Sequence, residues 1–180
     1  MRTFRKAQTL SVATIAEGAI IGKLDDLQFD LSTGRIFGFR LRAPGILGRT
    51  GGVAAAELPL IGRDLTLVRS ETSVEWSGER RNAEDGRAWA GNYRKTRVIT
   101  RRGAGLGVVE DFILDGSPPA IVALLLDRHR MIRLDRRVTL GRDSVIVEDP
   151  TAAVSLEDDE ESTDWWTRVK STFSSDETER

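Results

Sequence analysis

This sequence predicts a mainly β fold: two tandem, small, partly open antiparallel β-barrels followed by a short C-terminal amphipathic helix. Three observations carry the expectation. First, the chain repeats itself: residues 18–41 align with 103–126, an offset of 85, without a gap over 24 positions. Eight positions are identical (Gly18/Gly103, Ala19/Ala104, Gly22/Gly107, Asp26/Asp111, Asp30/Asp115, Ser32/Ser117, Ile36/Ile121, Leu41/Leu126), where average composition gives about one or two by chance. Second, apolar residues alternate at period two, as in Phe37, Phe39 and Leu41 against Gly38, Arg40 and Arg42, which is the pattern of a half-buried strand. Third, nothing before residue 150 sustains a 3.6-residue period.

Leu24, Leu27 and Phe29 surround Asp25-Asp26, which predicts a strand that bulges at the acids. Leu31-Ser-Thr-Gly34 then supplies a hairpin turn, and Gly116-Ser-Pro-Pro119 supplies it in the second copy. The strand after that turn, Ala120 to Leu126, is apolar on both faces, so it is expected to be central and covered by two layers. Conservative pairs such as Ile21/Leu106, Leu27/Phe112 and Phe29/Leu114 keep one polarity, so both copies should turn the same residues inward. A further match sets Gly62-Arg-Asp64 and Val68 against Gly141-Arg-Asp143 and Val147, at an offset of 79. Leu65 to Val68 and Ser144 to Val147 are therefore read as closing strands, each entered through a Gly-Arg-Asp turn. The six residues lost between the two offsets are assigned to Pro44–Gly52, an extended loop in the first copy.

The predicted organisation is a first module over 1–71, a linker over 72–93, a second module over 94–150 and an acidic tail over 151–180 carrying a helix near 163–174. Trp76 and Trp89 are expected to pin the linker to a barrel.

With 180 residues, 39% hydrophobic and 31% charged, the composition is that of an ordinary globular chain able to bury a core. Zero cysteines exclude disulfides and thiolate chemistry, and one histidine leaves little imidazole chemistry; a reducing cytoplasm is the expected location. The longest apolar run is far shorter than the ~18–20 residues of a membrane span. The basic start, Met-Arg-Thr-Phe-Arg-Lys, is followed by a polar-interrupted stretch with no convincing cleavage site, so it reads as mature protein.

The module pattern Gly18-x-x-x-Gly22-x-x-x-Asp26, three residues, Asp30, a Gly34 turn and an apolar strand resembles the PRC-barrel domain family, with Arg5-Lys6 similar to the usual lead-in. The second copy keeps Gly103, Gly107 and Asp111 but sets Pro118-Pro119 in place of the Gly turn. The resemblance covers roughly residues 4–71 and 94–149. It implies small, partly open β-barrels that serve as docking modules. Such modules occur in the cytoplasmic subunit of purple-bacterial photosynthetic reaction centres and in a ribosome maturation factor, where none catalyses a reaction with barrel residues. Neither the membrane helix of the first nor the N-terminal domain of the second is evident here, so neither specific role is expected to transfer. A bacterial, adaptor-like protein is what the resemblance implies.

No catalytic constellation stands out, so no enzyme activity, cofactor or metal is expected. Asp25, Asp26 and Asp30 lack the alternating ligands of a Ca²⁺ loop, and Asp30 and Asp115 precede turns that Asx hydrogen bonding explains. The glycine clusters lack the Gly-Lys-Ser/Thr ending of a phosphate loop. His129 has no second imidazole and reads as an exposed turn residue. Arg128, Arg130, Arg133, Arg136 and Arg137 lie close together and form a candidate face for an anionic ligand. A solvated face, or a seat for the tail, is the competing reading. Residues 157–180 hold nine Asp/Glu against three Lys/Arg, a charge of −6 within a total of −1.

Trp165, Trp166, Val169 and Phe173 recur at helical spacing just after Ser162-Thr-Asp164, which predicts a capped helix whose apolar stripe binds a partner groove or docks on its own barrels. Membrane-surface binding is disfavoured by Glu157 to Glu161. The expected function is thus a non-enzymatic protein-binding or assembly module, self-association included. The alternative is an RNA- or ribosome-associated factor using the basic face. Peripheral association with a membrane complex is left open.

Overall fold

The computed structural model describes residues 1–45, 48–76, 86–127 and 129–155. The first copy contributes β1 (Arg2–Thr3), α1 (Phe4–Ala7), β2 (Ser11–Thr14), β3 (Ile20–Asp30), β4 (Ile36–Arg42), β5 (Thr50–Ala54), β6 (Leu60–Ile61), β7 (Leu65–Val68) and β8 (Val74–Glu75). The second contributes β9 (Arg87–Trp89), α2 (Ala90–Tyr93), β10 (Arg97–Thr100), β11 (Gly105–Asp115), β12 (Ala120–Leu126), β13 (Arg130–Arg133), β14 (Val138–Leu140), β15 (Ser144–Val147) and β16 (Ala153–Ser155). The molecule is mainly β, built as two curled sheets, one of them a half-barrel.

The two sheets repeat one order. The first runs β6-β7-β2-β3-β4-β5-β8 and the second β14-β15-β10-β11-β12-β13-β16. Each long strand slips register at the acidic bulge, between Leu24 and Asp26 in β3 and between Val109 and Asp111 in β11, because the extra residue swings its neighbours to the opposite face. Gly22 and Gly107 hold positive φ values of 151° and 124°. At Gly22 a Cβ would meet the Arg42 carbonyl oxygen at 2.1 Å, so the repeated glycine is a requirement of close backbone approach.

Three features differ from the sequence-based expectation. Each sheet contains one parallel pair, β2 with β7 and β10 with β15, because the closing strand returns beside the first strand rather than by a hairpin. Thr50, Gly51 and Gly52 are strand, not loop: they pair with Arg42, Leu41 and Arg40. Finally, each sheet takes its eighth strand from the other copy's lead-in. β1 pairs with β11 and β9 with β3, with Thr3 opposite Ile113 and Trp89 opposite Gln28. Residues 87–93, within the expected linker, thus form a strand of the first sheet and the helix α2 that enters the second.

This reciprocal exchange gives the halves a pseudo-two-fold relation. Gln8 and Arg94, equivalent positions at an offset of 86, meet where the halves cross, the guanidinium donating to Gln8 Oε1 at 3.0 Å. One continuous core spans both halves. At its centre Phe29 packs edge-on to Tyr93 at 5.1 Å and lies 5.4 Å from Phe112.

Candidate docking faces

The repeated carboxylates tie the crossing together. Asp111 accepts the backbone N–H of Arg5 at 3.0 Å, and Asp26 accepts that of Gly91 at 2.9 Å, so each buried acid caps the short helix of the other copy. Their cationic partners differ. Asp111 meets Arg94 at 3.2 Å, whereas Asp26 meets Arg40 at 3.5 Å. Arg40 also binds Asp25, which Arg42 holds from the other side at 2.8 Å. Burial holds the Asp26 carboxyl above its ordinary value, against the hydrogen bonds it accepts. Burial also pushes Asp25 upward, but hydrogen bonds from Arg42 and Arg40 outweigh it and the net shift is down. The carboxylates are thus satisfied by backbone N–H groups and guanidinium groups and serve the structure.

Beyond this crossing the two sheets diverge on their outward faces. Matched by register, the second sheet presents Ile113, Val122, Ala123, Leu125, Met131 and Val154, and the first presents Gln28, Phe37, Gly38, Arg40, Gly52 and Glu75. Ile113, Ala123 and Met131 are at 0% exposure and form a cluster separate from the main core, flanked by Met1, Val122 and Leu125. In the first sheet the glycines leave a hollow of about 300 Å³, floored by Gly38 and Gly52 and bordered by Phe37, Arg40, Glu75 and Trp89.

The walls of the hollow combine apolar and cationic surface. Arg40 lies 5.0 Å over the Trp89 ring, and Arg87 lies 3.3 Å over the Phe37 ring, so two guanidinium groups shield two aromatics. Phe37 is nonetheless 51% exposed. The Arg40 Nη1 is buried with no hydrogen-bond partner among the described residues, a donor for which an incoming carbonyl would be an acceptor. At Gly52 a Cβ would meet nothing within 4 Å. That glycine keeps the hollow open without being required by the backbone.

Of the candidate anionic-ligand residues, Arg130 lies 3.7 Å from Asp127, and Arg137 binds Asp135 at 2.7 Å. Arg133 stands on the outward face opposite Ala123, and Arg136 borders a crevice beside the Leu31–Gly34 turn. They are thus distributed over a strand face and a turn. Arg128 lies outside the described residues, as do Trp165, Trp166, Val169 and Phe173. His129 is exposed in the β12–β13 turn with φ 50°. Asp30 makes the expected Asx turn, accepting from Ser32 and Thr33.

Sequence reasoning did not find the hollow. Its signal was present in the pairs Gly38/Ala123 and Arg40/Leu125 of the aligned copies, where outward positions change polarity while inward ones do not. Among the described residues no three His, Asp or Glu side chains gather as a metal site, and no helix is long and apolar enough to cross a membrane. No protein-family model matches the chain, and no curated protein matches it in sequence.

Proposed function

We propose that this protein is a non-enzymatic docking module whose partner-binding surface is the outward face of the first sheet. The two halves are best read as PRC-barrel-like modules sharing one core. The observation that carries the reading is the hollow over Gly38 and Gly52, set where the other half has Ala123 and Met131. A hollow of about 300 Å³ suits one or two large side chains. Aromatic walls beside a buried arginine are the usual composition of an interface anchor site. The fitting partner is a protein segment that inserts an apolar or aromatic side chain and offers a carbonyl to Arg40. Nucleic-acid binding gains less support, because Arg130 and Arg137 are engaged with Asp127 and Asp135.

The test is Gly52→Met, which copies Met131 and fills the hollow without a backbone clash. Full-length wild type and variant are used as baits under identical conditions, with quantitative mass spectrometry of what each retains. A protein held by wild type and lost from the variant is the expected result. Identical retention by both removes the assignment, and RNA retained by both and released by salt favours the alternative.

A further inference from the structure

We propose that the C-terminal segment of the same chain, through Trp165, Trp166, Val169 and Phe173, covers the outward face of the second sheet at Ile113, Ala123 and Met131. This does not rest on the function proposed for the first sheet.

The argument begins with burial. Ile113, Ala123 and Met131 point away from the shared core, yet each is at 0% exposure. Of their described apolar neighbours, Val122 and Leu125 lie on β12 itself, and Met1 sits at the end of β11, its amine 2.8 Å from Asp115. A single sheet layer does not shield the middle of its own face, since side chains stand roughly perpendicular to the sheet and water approaches from above. A second layer is required. Val154, on the neighbouring strand opposite Met131, is 42% exposed, so the cover is local to β11, β12 and β13.

Chain path singles out the occupant. β16 pairs antiparallel to β13, with Ser155 opposite Arg130, so the described chain ends at the border of this face. Trp165 is the tenth residue after Ser155, a reach of up to about 33 Å, while crossing from β16 to β11 spans three strand spacings, about 14 Å. The tail also carries the matching chemistry. An apolar stripe at helical spacing of about eleven residues is marginal alone and needs a surface, and the apolar face needs a lid of that composition.

The chain's only two methionines, Met1 and Met131, both lie in this cluster, so methyl NMR of the ε-¹³C-methionine-labelled full chain reads the face directly. Indole rings seated on Met131 displace its methyl signal by ring current. In a full-length Trp165→Ser, Trp166→Ser, Phe173→Ser variant that displacement is expected to be lost, with both sheets retained by circular dichroism. Unlabelled wild-type chain in tenfold excess is expected not to restore it, and the wild-type signal is expected to be independent of concentration. An unmoved Met131 signal in the variant overturns the proposal. So does restoration by the excess wild-type chain, which would assign the cover to a second copy.

Discussion

The outward faces of the two sheets occupy equivalent places in one pseudo-symmetric body, yet one is an apolar patch buried at its centre and the other a glycine-floored hollow. Inward, the same positions stay apolar in both: Leu27 and Phe112, Phe29 and Leu114, Leu41 and Leu126. The contrast teaches that the shared core constrained one side of each sheet, while the other side was free to diverge. A change of an inward residue disturbs packing against the opposite half, whereas a change of an outward residue meets only solvent or whatever docks there.

The sharpest way to break this comparison is to exchange the faces. Met131→Gly should destabilise the chain by about 3 kcal/mol, from the lost buried side chain and the added backbone entropy. Gly52→Met should change stability by less than about 1 kcal/mol, because the position is open. Urea denaturation of both variants measures this; equal losses would mean that the faces are not distinct.

The buried caps are where the halves should behave alike. Asp26→Ala and Asp111→Ala each strand a helix-end N–H and weaken an arginine pair, at a cost of about 2 kcal/mol apiece. Because one core spans both halves, each variant should still unfold in a single transition by fluorescence and circular dichroism together. Two separated transitions would show that the halves fold independently.

A smaller effect concerns pH within β3. Hydrogen bonds from Ser32 and Thr33 lower Asp30 to about 2, so its contribution is present above the unfolded value of about 4 and lost as pH falls through about 2. Asp26, raised by burial, runs the other way: its protonated form is favoured, and stability is lost as pH rises through its folded value. Urea midpoints between pH 5 and 2 should therefore fall less steeply for Asp30→Asn than for wild type. An unchanged slope would show that the turn carries no linkage.

The smallest expected change is at Phe37, half exposed beneath Arg87. Phe37→Ser should alter stability by less than about 1 kcal/mol while reducing capture of the partner. A large stability loss with binding intact would move Phe37 from the proposed docking face to the core.

Much of the fold was legible because the repeat and the period-two pattern report local needs. The bulges at Asp25-Asp26 and Glu110-Asp111, the turns after Asp30 and Asp115, and the closing strands Leu65–Val68 and Ser144–Val147 each follow from a few neighbouring residues. The lead-in was harder to align, because Val12/Val98 and Thr14/Thr100 match at an offset of 86, one residue out of step with the strands that follow.

By itself, then, the sequence determined that the chain is a duplicated β protein and which residues each copy turns inward, since side-chain alternation and turn chemistry are properties of short segments. Only the tertiary structure decided that β1 and β9 change places, that Asp26 and Asp111 cap helices 65 and 106 residues away, and that Gly52 opens a hollow where Met131 fills one. Backbone hydrogen bonds carry no sequence label, so a strand's partner is chosen by the shape of the whole core.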